Sequence, residues 1–360
     1  MTLGAVATLA APDTSVAAPG EGAVHAFGEA PHHGQPGENA AAGAVALASA
    51  RNGDGYWVAA ADGGVFTYNA PFHGSAAGRP LNRPIVDMAA TPTGNGYWLV
   101  ASDGGIFTYG DARFAGSTGG QHLNRAIVAM APTRTGHGYW LVGEDGGVFT
   151  FGDAAFHGSL GGQHLQAPIV SAAATPTGRG YWLAAADGGV FAFGDAGFHG
   201  SLGGQRLQAP IVATAATSTG RGYWLAAADG GVFTFGDAAF AGSLGGNPPP
   251  APVVDLAIAR GRNGYWLATG RRRHDLGVFT ATCYALRGTT ASGRPAGPEG
   301  IAVDPRVIPL GTRVVVEGQG ERIASDTGGD IRGYRIDVWK PSTAECNAFG
   351  RRELRVWRVG

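Results

Sequence analysis

The chain has 360 residues, 44% of them hydrophobic and 15% charged, with a formal net charge of −1; this is enough apolar content for one large core or two ordinary ones, and it excludes a disordered chain. Glycine reaches 63 residues with no collagen-like triplet period, so its abundance signals many tight turns. No stretch approaches the roughly 20 apolar residues of a membrane-spanning helix, and the charge is divided unevenly: from Arg271 onward there are 15 basic and 10 acidic residues, a net positive part suited to an anionic polymer such as a cell wall or a nucleic acid.

In chain order, residues 1–21 come first. Leu3 to Ala11 is a short apolar run, followed by small residues around Ala17-Ala18-Pro19. The segment reads as signal-like or disordered, resembling the tail of a secretory signal without its basic start.

Residues 22–270 carry an internal repeat. Gly-Tyr-Trp recurs with its tryptophan at Trp57, Trp98, Trp140, Trp182, Trp224 and Trp266, spaced by 41 residues once and by 42 four times, and a fixed period of this size denotes a repeat architecture. One unit runs from Ala126 to Ser159: an apolar run to Ala131, Gly138-Tyr139-Trp140-Leu141-Val142, the turn Asp145-Gly146-Gly147, Val148 to Phe151, and Phe156-His157-Gly158-Ser159. Asp-Gly between apolar runs is a strong hairpin signal, so each unit is expected to form four short strands, the content of a propeller blade.

Residues 22–34 resemble only the second half of a unit, and residues 253–270 only the first half. The two pieces are expected to complete one blade, with Ala23 to Phe27 pairing beside Tyr265 to Ala268, which removes the exposed edges of an open array. Aspartates beside glycine are turn formers. His157 and His199 lack a second ligand at metal-site spacing. The tryptophans divide between core packing and sugar stacking, with packing preferred. The repeat resembles the Gly-Tyr-Trp repeat of secreted actinobacterial proteins, a likeness that implies no activity.

After a linker at 271–276, residues 277–360 follow a different pattern: Thr280-Ala281-Thr282-Cys283-Tyr284, Thr290-Ala291-Ser292-Gly293, Ala302-Val303-Asp304-Pro305, Ala324-Ser325-Asp326-Thr327-Gly328-Gly329 and Arg335-Ile336-Asp337-Val338-Trp339. Short apolar runs alternating with glycine turns suit a small β-barrel. The fold class is therefore all-β: a six-bladed propeller-like repeat followed by a small barrel. Cys283 and Cys346 are the only cysteines, and in an exported chain they are expected to pair.

These C-terminal motifs, in this order, resemble the three-aspartate (3D) domain of stationary-phase wall-remodelling proteins, with the aspartates at Asp304, Asp326 and Asp337. The resemblance implies a double-psi β-barrel related to that of membrane-bound lytic transglycosylase A, and with it peptidoglycan cleavage between MurNAc and GlcNAc to leave a 1,6-anhydro end. It makes Asp337 the acid/base and Asp326 its electrostatic and hydrogen-bonding partner. Thr327, Gly328 and Gly329 offer backbone donors to the sugar, and Thr290 and Ser292 are weaker substrate contacts. Asp304 precedes a proline, where an extended or turn conformation is preferred, so it divides between a turn role and direct catalysis.

Carboxylates suit this bond because one group protonates the leaving oxygen while a carboxylate accepts a proton from the attacking hydroxyl. When that hydroxyl belongs to the same sugar, tethering supplies much of the advantage. As an acid, Asp337 needs a site that favours its proton-bearing form, for which a nearby Asp326 and an apolar wall from Val338 or Trp339 are the candidates. Neither a nucleophile elbow, a phosphate loop nor a Cys-x-x-Cys pair occurs, so no cofactor or metal is implied. The expected partner is peptidoglycan, with a wall polymer on the repeat platform, and neither nucleic acid nor a membrane span. The competing readings are a noncatalytic wall-glycan binder and an endoglycosidase that uses water.

Overall fold

The computed structural model describes residues 22–36, 43–51, 53–270, 273–285, 288–316 and 319–359. The signal-like segment 1–21 lies outside them. The chain divides into two compact units that part between Arg272 and Arg273.

The first unit holds six three-stranded antiparallel sheets among its described residues. A representative sheet contains Ile127–Pro132, Tyr139–Gly143 and Val148–Phe151, with Trp140 opposite Thr150 and Ala131. The first strand of each sheet packs beside that of the next, from Ala44–Ser49 through to Val253–Ile258, and the last lies against the first. The result is a closed, propeller-like ring. Its closing sheet joins Val24–Gly28 to Gly264–Thr269 and Val253–Ile258, with Phe27 opposite Tyr265 and Val24 opposite Ala268, the pairing that the two half-units imply.

Each unit forms three strands and not four. The fourth run is held by side chains instead of a ladder: Trp140 donates to the Ala155 carbonyl at 2.7 Å, and Tyr181 of the next unit donates to the Gly158 carbonyl at 2.5 Å while accepting from the His157 amide at 3.3 Å. Gly158 has φ 127°, which an L side chain rarely adopts, and a Cβ there would come within 2.6 Å of the Phe193 ring. That conformation breaks the strand.

The Gly-Tyr-Trp tripeptide is therefore a fastener: its tryptophan ties down its own unit's loop and its tyrosine ties down the preceding one. Trp57, Trp98, Trp140, Trp182 and Trp266 are fully buried, so they are core residues and not sugar platforms. The turn aspartates behave as read, with Asp145 Oδ1 accepting from the Gly147 amide at 3.0 Å. A further device was not read from sequence. In alternate units a polar residue after a β-bulge reaches the next sheet: Asp87 accepts from the Met130 amide, Ser171 from the Thr214 amide, and Asp255 from the Leu47 amide across the ring closure.

The second unit is a closed six-stranded barrel. Its strands, in chain order, are Arg273–Tyr284, Gly300–Val303, Arg313–Val316, Gly320–Asp326, Arg335–Trp339 and Arg352–Val359. The first strand starts within the stretch 271–276 read as a linker and runs antiparallel to the last. It also pairs in parallel with Arg335–Trp339, and Gly300–Val303 pairs in parallel with Gly320–Asp326, so the barrel closes through non-consecutive neighbours. The core gathers Phe279, Ala281, Ile301, Val303, Val314, Val316, Ile336, Val338 and Val356.

Among the described residues one short helix interrupts the all-β pattern, Thr343–Phe349. Ser342 caps it by accepting from the Glu345 amide, and Gly350 ends it at φ 64°. The Ser-x-x-Glu spacing is the sequence signal for such a start. This turn of helix brings Cys346 to Cys283 at the end of the first strand, where the two form a disulfide closing a separation of 63 residues. No helix among the described residues is long and apolar enough to cross a membrane.

Candidate active site

The site lies on the outer wall of the barrel, and strand alternation puts it there. Ala281, Ile301, Val303, Ile336 and Val338 point into the core, so Thr282, Ala302 and Asp337 point outward. Asp337 pairs with Thr282 on one side and Ala302 on the other. Ala302 in turn pairs with Asp326, after a register shift that skips Ser325. The bulge re-aims the strand end, because without it Ala302 would face Ser325 and Asp326 would fall on the other face. Asp326 and Asp337 thus flank Ala302 on one face, their backbones about 10 Å apart at two strand spacings, and Ala302 between them is buried.

Each carboxylate has defined partners. Asp337 Oδ1 accepts from the Thr282 hydroxyl, and Asp326 Oδ1 accepts from the amides of Ala291 at 3.0 Å and Thr327 at 2.9 Å. The Thr327 amide is thereby engaged by the carboxylate instead of facing a sugar. Thr290 is buried and spends its hydroxyl on the Arg294 carbonyl at 2.8 Å and on Ser292 Oγ at 3.2 Å, while the Ser292 amide donates to the Ser325 carbonyl at 2.9 Å. Residues 290–292 therefore form a loop tied over Ser325 and Asp326. Gly328 accepts from the Ile331 amide and turns the chain away, and Gly329 is exposed. Val338 is fully buried in the core, so it offers no wall to Asp337; Trp339, two residues on, shares the outward face.

Tyr284 and Ser325 belong to the site and were not singled out from sequence. Tyr284 pairs with Trp339, one step along the same face. Burial first, and then the charges of Asp326 and Asp337, push its hydroxyl up to about 12, so it keeps its proton at any working pH. The alternation Thr280, Thr282, Tyr284 against Ala281 and Cys283 was the available signal, since it already separates an outward polar row from an inward apolar one.

Asp304 stands apart from this pair. Its side chain is buried and accepts from Arg306 Nε at 3.0 Å, Arg306 Nη2 at 2.7 Å and the amides of Arg306 and Gly333. Its carbonyl accepts from Val307 and Ile308. The Arg306 guanidinium and the Gly333 amide hold its carboxyl far below the usual carboxylate range. These bonds staple the turn after Val303 to the loop before Arg335, so Asp304 braces the end of the strand that carries Ala302 against the start of the strand that carries Asp337. Among the described residues no group of three His, Cys, Asp or Glu side chains is placed to hold a metal ion.

Three proteins of Bacillus subtilis match the chain over part of its length. Cell wall-binding protein YocH is 44% identical over 83 residues, 22% of this chain and 29% of YocH. The putative cell wall shaping protein YabE is 42% identical over 83 residues, 22% of this chain and 20% of YabE. The prophage-derived YorM is 38% identical over 98 residues, 24% of this chain and 41% of YorM. The chain thus spans between about a fifth and two fifths of the length of each. Thr282, Tyr284, Thr290 and Ser292 precede the span of the family match, whereas all three aspartates fall inside it: residues 299–360, within the C-terminal unit, match the family model of the 3D domain.

Proposed function

We propose that the chain is an exported, wall-associated lytic transglycosylase that cuts the MurNAc–GlcNAc bond of peptidoglycan. The observation that carries this reading is the placement of Asp326 and Asp337 on either side of Ala302. Asp337, in its acid form, gives its proton to the glycosidic oxygen as the C1–O bond breaks. The C6 hydroxyl of the same sugar bonds to C1, and its proton passes to the Asp337 carboxylate, restoring the acid. No water is consumed and the product carries a 1,6-anhydro ring. Asp326 stabilises the positive charge that develops at C1, an interaction stronger in the transition state than in the bound substrate.

The ring serves as the wall-contact platform. Phe72, Phe114, Phe156, Phe198 and Phe240 occupy equivalent places in five units and are each 61–62% exposed, which supplies repeated aromatic faces suited to a repeating polymer. The relatives named for wall binding and wall shaping support the location. Digestion of purified peptidoglycan, with products read by mass spectrometry, tests the reaction. Anhydro-muramyl ends are expected. Reducing ends would mean hydrolysis, and intact strands that retain bound protein would mean a glycan binder.

A further inference from the structure

Tyr284 Oη and Ser325 Oγ are both shielded from solvent and neither has a hydrogen-bond partner. Ser325 is only 2% exposed, and it is the residue extruded by the bulge that sets Asp326 opposite Ala302. The two hydroxyls converge on Gly300: a Cβ built there would lie 2.6 Å from Ser325 Oγ and 3.7 Å from Tyr284 Oη. Buried hydroxyls without partners are costly in a native protein, and one that persists calls for an explanation such as a ligand. Here two of them approach one backbone position, Gly300, which carries no side chain, on the strand that lies between those of Asp326 and Asp337.

From this convergence we infer that Tyr284 and Ser325 hold one oxygen atom of the bound sugar, the hydroxyl that attacks the anomeric carbon. The identity of that hydroxyl rests on the transglycosylase reading. Tyr284 is a lasting donor because its proton is retained, whereas Ser325 can donate or accept. Together they leave the substrate hydroxyl free to give its own proton to a carboxylate. The loop of residues 290–292 borders this strand end and is bonded to it through the amides of Ala291 and Ser292.

The test compares the parent protein with Tyr284→Phe and Ser325→Ala, which remove one hydroxyl each and keep the packing; thermal melting confirms that both fold. Digests of peptidoglycan are scored for kcat, KM and the ratio of anhydro to reducing ends. Loss of one hydrogen bond to a reacting group should lower kcat by about tenfold with little change in KM, and because an unheld hydroxyl competes poorly with water, the share of reducing ends should rise. A folded variant that keeps the parent's rate and end ratio overturns the inference and leaves the transglycosylase reading standing. If the parent itself yields no anhydro ends, that reading fails, and binding of peptidoglycan fragments decides the subsite: affinity reduced by about tenfold in Tyr284→Phe supports it, and unchanged affinity overturns it.

Discussion

The Trp266 indole N–H donates to the Pro31 carbonyl at 2.8 Å across 235 residues of chain, the bond that elsewhere in the ring joins a tryptophan to a carbonyl 14 or 15 residues on. The closing sheet is thus chemically the same as the others although its strands come from opposite ends of the repeat. Trp266→Ala should then cost as much as Trp140→Ala, about 3–5 kcal/mol for each buried indole. Denaturant unfolding of the ring measures both. A much smaller cost at Trp266 would mean that the closure is not formed. Deleting residues 1–35 should go further, leaving Gly264–Thr269 as an open edge and causing aggregation.

Asp337→Asn preserves shape and removes proton transfer, so the release of anhydro-muropeptides should fall by about two orders of magnitude or more while the protein stays folded and binds glycan. Asp326→Asn should lower kcat less, since it removes charge stabilisation and leaves the proton in place. Turnover by folded Asp337→Asn at the parent rate would shift the acid role to Asp326.

Asp304→Asn should act on stability. The native carboxyl is held below its unfolded value by Arg306 and Gly333, so the unfolded chain binds the extra proton first as pH falls. The stabilisation is therefore present above the ordinary carboxylate value of about 4 and is lost as pH falls through the lower native value. The variant should melt several degrees below the parent at pH 7, and the gap should close progressively below pH ~4. A gap that is constant with pH would mean that the charge of Asp304 is not what braces the turn.

The Cys283–Cys346 disulfide closes a loop of 63 residues, for which loop entropy predicts about 4 kcal/mol of stabilisation through the unfolded chain. Reducing agent, or the Cys283→Ser and Cys346→Ser pair, should lower the urea midpoint of barrel unfolding and leave that of the ring unchanged. Equal midpoints with and without reductant would show that the bond contributes no stability.

Much of this protein was legible in its sequence, and for local reasons. The 42-residue period, the Asp-Gly turns and the matching half-units depend on short-range turn chemistry and on a spacing that repetition makes visible, so six sheets and their closure followed. The motif order around Asp304, Asp326 and Asp337 likewise pointed to the barrel, and the two cysteines to their bond. Only the tertiary structure decided the rest. The fourth run of each unit failed to become a strand because the next unit's tyrosine captures its backbone around a glycine of positive φ. Asp304, which the sequence left between a turn role and direct catalysis, stands apart from Asp326 and Asp337 because Arg306 and Gly333 occupy its carboxylate. Asp326 and Asp337 became neighbours through Ala302, and Tyr284 joined them, because parallel pairing between non-consecutive strands and a bulge at Ser325 set the register. A single-residue slip there would turn the aspartate to the opposite face, and that register is decided by packing against partners far away in the chain.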